Sequence, residues 1–198
     1  MQASNEKESK LVSHFKSLTF KPKVIVLDLD GTLWPYFVDR HFSPPYKKHV
    51  RANGTTELED SEGEIRRPYK DVPLIIKTLK EKCLDPNEGH LAIASIATEA
   101  IAKPAIEVFG WTKFITSFQI YYKSKNNHMS AIRDELEADK VGFQDFLFFD
   151  GDSSNIEPTT SLGVTMFLLD SRFGLDLESV LKGLTLFDEK KKSQSNVK

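Results

Sequence analysis

Twelve residues, VIVLDLDGTLWP from Val24 to Pro35, constrain this chain more than any other stretch. The unbroken aliphatic run at its start reads as a β-strand covered on both faces. It leads straight into Asp28 and Asp30, and the chain then turns on Gly31-Thr32. Residues two apart on a strand point to the same side, so the two carboxylates share one small volume. Like charges that close resist joint ionisation unless a cation joins them. The plain alternative, a pair of turn or N-cap aspartates, does not account for the buried strand in front of them.

A hard divalent cation with oxygen ligands relieves such a pair, and Mg²⁺ is the usual choice where phosphates are handled. Once a phosphate's charge is screened, one carboxylate can attack phosphorus while its neighbour serves as general acid and base. The expected chemistry is therefore phosphoryl transfer at Asp28 and Asp30.

Further strand candidates are "HLAIASI" (90–96), "ITSFQIYY" (115–122), "DFLFFD" (145–150) and "VTMFLL" (164–169). Helical spacing over 71–83 puts Val72, Ile75, Ile76, Leu79 and Cys83 on one face, with Asp71 as N-cap and Pro73 in the tolerant first turn. A second helix is expected over 97–110, kinked or shortened by Pro104, and a third over 126–139 with Met129, Ile132 and Leu136 on one stripe. Strands alternating with helices predict an α/β fold whose parallel sheet is covered on both faces. Residues 36–68 break the alternation. Their Asn53-Gly54 and Glu62-Gly63 turn signals predict a small β-flap at the carboxyl edge of the sheet, where open α/β folds bind ligands.

With 198 residues, one domain over 21–186 is expected, preceded by a polar leader (1–20, with a short helix) and followed by a flexible tail (187–198). The net charge of −2 argues against a nucleic-acid or anionic-membrane partner, and no apolar run is long enough for a membrane span. One cysteine, Cys83, and an N-terminus without a signal-peptide core lead to the expectation of a cytoplasmic protein.

The segment "DLDGTL" resembles the nucleophile motif of the haloacid dehalogenase superfamily of phosphohydrolases. The longer "DLDGTLWPYFVDRH", with Pro44-Pro45 and the Tyr69–Pro73 stretch, is similar to the eukaryotic magnesium-dependent phosphatases within it. The resemblance implies a Rossmannoid three-layer α/β/α fold with a small β-flap in place of a large cap. It also implies Asp28 as nucleophile and metal ligand, and Asp30 as general acid/base with its main-chain carbonyl on Mg²⁺. Ser95 and Lys125 would hold the phosphate, with Lys123 the competing lysine. Asp150 and Asp152, closing "FLFFDGD", would complete the metal site, and Asn155 would support them. The implied substrates are phosphorylated small molecules or phosphoproteins: glycated sugar phosphates or protein phosphotyrosine.

The pattern is broken at two places. Ile96 stands where the subgroup has Arg, so a bidentate anion donor is missing unless Arg51, Arg66 or Arg67 of the flap replaces it. Gly151 stands where it has the second of two adjacent acids, leaving open whether Asp150 or Asp152 binds metal. A pseudophosphatase, with the same fold kept for binding, is the rival reading. A receiver-type signalling domain also clusters aspartates with a hydroxyl and a lysine, but there the accepting Asp follows a middle strand.

Overall fold

The computed structural model describes residues 2–136 and 140–196. Its core is a five-stranded, all-parallel sheet in the order β6-β5-β1-β7-β8. The strands are β1 (Val24–Leu27), β5 (His90–Ser95), β6 (Ser117–Ile120), β7 (Phe146–Asp150) and β8 (Thr165–Leu168). Each lies inside one of the apolar runs picked out in the sequence. β1 sits at the centre because it is the most completely apolar strand, buried at every position.

Side-chain alternation along β1 divides the interior into two layers. Ile25 and Leu27 join Leu91, Ile93, Leu147 and Phe149 in the larger cluster, while Val24 and Val26 join Ala92, Ala94, Phe146 and Phe148 in the smaller one. The smaller layer is closed by α5 (Lys125–Glu135) through Met129 and Ile132, with the short α6 (Ile156–Thr160) beside it. The larger is closed by α1 (Gln2–Ser17), α3 (Val72–Thr78), α4 (Glu99–Phe109) and α7 (Leu177–Ser195). This is the three-layer α/β/α arrangement expected. Of the helix expected over 126–139, residues 137–139 lie outside the described residues.

Three local readings need correction. The polar leader is the long helix α1, whose Leu11 and Phe15, followed by Leu18, enter the main core at helical spacing. Residues 187–195, expected as part of a flexible tail, continue α7; Phe187 is buried, and Asp188 accepts from the Phe20 amide (2.7 Å) and from Lys192 (2.6 Å). Met1, Val197 and Lys198, also covered by those two expectations, lie outside the described residues. Asp71 makes no cap bond to α3; its carboxylate instead holds Lys7 of α1 (2.6 and 2.7 Å) and the Leu177 amide opening α7 (3.4 Å). A three-helix junction thus took the side chain that local pattern assigned to one helix. Pro104 lies inside α4 without ending it.

The flap forms as a three-stranded antiparallel sheet of β2 (Lys47–Val50), β3 (Thr56–Glu59) and β4 (Ile65–Arg66), entered through the short α2 (Val38–His41). Leu58 anchors it to the main core. From β1 the chain visits β5 and β6 on one side, then returns to β7 and β8 on the other. The carboxyl ends of β5, β1 and β7 therefore flank a topological switch point, the place where such sheets leave a crevice.

Candidate active site

Into that crevice β1 delivers Asp28, β5 delivers Ser95 and β7 delivers Asp150, all three nearly buried. A cavity of about 400 Å³ opens above them, lined also by Asp30, Gly31, Lys125, Asp152, Asn155 and Ser171. Gly31 has φ +69°, a left-handed conformation that suits glycine, and a Cβ there would stand 3.3 Å from Ser171 Cβ. The turn after D-x-D is thereby kept tight enough for both acids to reach one space.

Lys125 is the first residue of α5, and it is 2% exposed. Its ammonium donates to Asp28 Oδ1 at 2.5 Å and to the Ala94 carbonyl at 2.6 Å, and stands 3.5 Å from Asp150 Oδ2. Lys123 is exposed, so tertiary packing separates two lysines that the sequence alone left open. The Tyr121 amide donates to the Ser95 carbonyl (3.1 Å), and His128, stacked on Tyr121, is 3.0 Å from the Tyr121 carbonyl through Nε2. Both contacts fix the turn that aims Lys125 inward.

The acids differ in their surroundings. Burial pushes the Asp28 carboxyl up, against the opposing pull of Lys125. Burial, and then the neighbouring charge of Asp28, push Asp150 up to about 6. Asp150 Oδ1 accepts from the Asp152 amide (2.8 Å) and Oδ2 from Asn155 Nδ2 (2.9 Å). Asp152 is exposed and caps the next turn by accepting from the Ser154 amide at 2.9 Å. Asp30 is raised by burial, against hydrogen bonds from Trp34 and Val38.

Among the described residues no three acidic, imidazole or thiol side chains converge as a ready metal cage. The donors present nonetheless suit Mg²⁺, which is commonly held by one or two carboxylates together with waters and phosphate oxygens. Asp28 and Asp150 are two buried carboxylates, and the charge of Asp28 raises the proton affinity of Asp150, an environment that a divalent cation relieves.

The six residues expected to carry the chemistry, Asp28, Asp30, Ser95, Lys125, Asp150 and Asp152, thus reach one cavity, together with Asn155. The flap arginines do not. Arg51 and Arg67 pair with Glu57, Arg66 with Asp60, and none of the three lines the cavity. Ile96 itself remains at the mouth, 43% exposed. Of the aromatic residues in this part of the chain, Trp34 and Phe42 are core, Tyr36 and Tyr46 pack against it, and Phe37 reaches the cavity at 58% exposure. Ser171 was missed; a lone serine in the loop after β8 carries no local signal, and only the approach of that loop to Gly31 and Gly151 reveals it.

Comparison with known proteins places these features in context. The acid phosphatase family model matches residues 21–190. Human magnesium-dependent phosphatase 1 is 32% identical over 168 residues, covering 84% of this chain and 87% of that protein. A HAD-like hydrolase superfamily protein of Schizosaccharomyces pombe is 30% identical over 178 residues, covering 84% and 96%. Among solved structures, the N-terminal part of the Bacteroides fragilis protein BF1531, containing a phosphatase domain complexed with Mg, superposes with a TM-score of 0.57 at 21% identity. That match covers 89% of this chain and 43% of the other, and speaks to the fold alone.

Proposed function

The chain belongs to the acid phosphatase family, the magnesium-dependent phosphatases of haloacid dehalogenase type, and we propose that it hydrolyses phosphomonoesters through a phosphorylated Asp28. The observation that carries this reading is the buried Asp28–Lys125 contact at the floor of a cavity also lined by Asp30, Ser95 and Asp150.

In the first step Asp28 Oδ attacks phosphorus and the bond from phosphorus to the leaving oxygen breaks. Its electron pair stays on that oxygen, which takes the proton of the Asp30 carboxyl. In the second step the Asp30 carboxylate takes a proton from a water whose oxygen attacks phosphorus. The bond to Asp28 Oδ breaks, inorganic phosphate leaves, and both carboxyl groups return to their starting states. Ser95 and the Lys125 ammonium bind phosphate oxygens, and Lys125 offsets the charge of Asp28 and phosphate together. Asp28, the Asp30 carbonyl, Asp150 and Asp152 are the groups that would hold Mg²⁺, which when bound screens the phosphate and polarises its oxygens.

Among the substrate classes, aryl phosphates such as phosphotyrosine are favoured over glycated sugar phosphates, because Phe37 and Ile96 at the mouth offer apolar surface where a sugar hydroxyl needs partners. The reading extends to a cytoplasmic setting. The test is p-nitrophenyl phosphate turnover with Mg²⁺ and with EDTA, beside Asp28→Asn. Metal-dependent turnover lost in the variant, with a phosphoenzyme trapped in the wild type alone, is expected. No turnover above the variant, and no Mg²⁺-dependent rise in melting temperature, would replace the enzyme by a binding module.

A further inference from the structure

We infer that Trp34 is the positioning residue of the acid/base Asp30, acting through its indole N–H. This rests on the reading of Asp30 given above. Each oxygen of the Asp30 carboxylate has its own donor: Trp34 Nε1 at 2.8 Å on Oδ1 and the Val38 amide at 3.0 Å on Oδ2. Lys125 spends its short contacts on Asp28 and Ala94 instead. One donor leaves a carboxylate free to swing about its terminal torsion, whereas a donor on each oxygen fixes its plane. The second lone pair of each oxygen then remains for the leaving group or water.

Of the two donors, Val38 contributes a main-chain amide that any residue there would supply. The indole is the replaceable one. Trp34 is fully buried, 5.4 Å from Phe42, 6.1 Å from Phe109 and stacked 6.2 Å from Trp111. Phenylalanine would remove the donor while keeping an aromatic ring against these neighbours. The ring is clamped by residues of the flap entrance and of the end of α4, and its one polar atom is aimed at the cavity wall. A clamped ring makes a stiff donor, and stiffness is what positioning a proton requires.

The reasoning separates from a merely structural role through the leaving group. A p-nitrophenolate departs without protonation; an alkoxide does not. The measurement is kcat/KM on p-nitrophenyl, phenyl and alkyl phosphates for wild type, Trp34→Phe, Asp30→Asn and the packing control Phe109→Leu. For Trp34→Phe a fall of about tenfold to a hundredfold is expected on the alkyl ester and no more than about threefold on p-nitrophenyl phosphate, a fraction of what a general acid supplies. Asp30→Asn should show the same gradation more deeply, and Phe109→Leu none. The slope across esters does not depend on how much of a variant is folded. Where Trp34→Phe yields no folded protein, 3-benzothienylalanine at position 34 keeps the ring shape and removes the N–H. A uniform loss for Trp34→Phe beside a graded loss for Asp30→Asn would overturn the role of Trp34 alone, as would a graded loss in Phe109→Leu. A uniform loss in Asp30→Asn would overturn the acid reading and this inference with it.

Discussion

Replacing Lys125 by methionine removes the charge at the floor of the cavity, with its cation–π contact to the Phe148 ring at 5.5 Å, while keeping the length of the stem. In the native protein the ammonium lies 2.5 Å from Asp28 and 3.5 Å from Asp150. All three side chains are close to fully buried, so solvent does little to soften the loss. Without the ammonium, one carboxyl group escapes an unpaired buried charge by keeping a proton that the unfolded chain releases. An unfolded Asp has a pKa of about 3.9, and each pH unit above that adds about 1.36 kcal/mol to the cost of holding the proton. The ceiling on destabilisation is therefore about 4 kcal/mol at pH 7 and about 1.5 kcal/mol at pH 5. The upper figure agrees with the roughly 3–5 kcal/mol typical of removing one partner from a buried ion pair. The sign follows from proton counting. Asp150 of the wild type also keeps its proton to about pH 6, so the gap opens above that: there the variant's native state holds a proton that its unfolded state and the wild type have both released, its stability goes on falling as pH rises, and the gap to wild type widens. Urea unfolding of both proteins in EDTA at pH 5 and pH 7 measures this directly. A gap of equal size at the two pH values, or a larger one at pH 5, would mean that the substitution costs packing rather than charge, and the electrostatic account of the site would fail.

A Cβ at position 151 would meet Gly31 O and Ser171 Cβ at 3.5 Å, ordinary contacts, and Gly151 is not among the glycines of positive φ. Gly151→Asp should accordingly fold, lose stability in EDTA, and bind Mg²⁺ about tenfold or more tightly by calorimetry; unchanged affinity would count against a metal beside Asp28 and Asp150. His128 is buried, with its pKa lowered by burial to about 4. Between pH 6.5 and 4 the unfolded state takes up a proton that the native state refuses. The His128 contribution should therefore fall by about 1–2 kcal/mol as pH drops through that window, the full shift being discounted for screening, while the raised Asp150 works in the opposite direction; measured against wild type, His128→Gln should become relatively more stable by that amount. Phe15→Ala, deep in the core, should cost about 3–5 kcal/mol in chemical unfolding; a cost below about 1 kcal/mol would show that α1 is dispensable to the fold.

Much of the frame is legible without coordinates because it depends on local chemistry. The runs KVIVLD, HLAIAS and DFLFFD announce buried parallel strands by their lack of alternation, and each ends in a side chain that faces the cavity: Asp28, Ser95 and Asp150. The Asn53-Gly54 and Glu62-Gly63 turns mark the flap equally well, and Gly54 and Gly63 both carry the positive φ such turns demand. The polar ends misled, since average composition outweighed Leu11 and Phe15 in the first helix, Leu18 just after it, and a single Phe187 in the last.

Local patterns thus determined the strands, the turns and the placement of acids at strand ends, because those follow from hydrophobic burial and backbone geometry within a few residues. The choice of Lys125 over Lys123, the burial of Asp150 beside an exposed Asp152, the diversion of three flap arginines to Glu57 and Asp60, and the arrival of Ser171 were decided only by tertiary structure. The Lys125–Asp28 contact and the approach of Ser171 to Gly31 join segments far apart in the chain, while the arginine pairings depend on the register of the flap strands; neither kind of contact leaves a periodicity to be read.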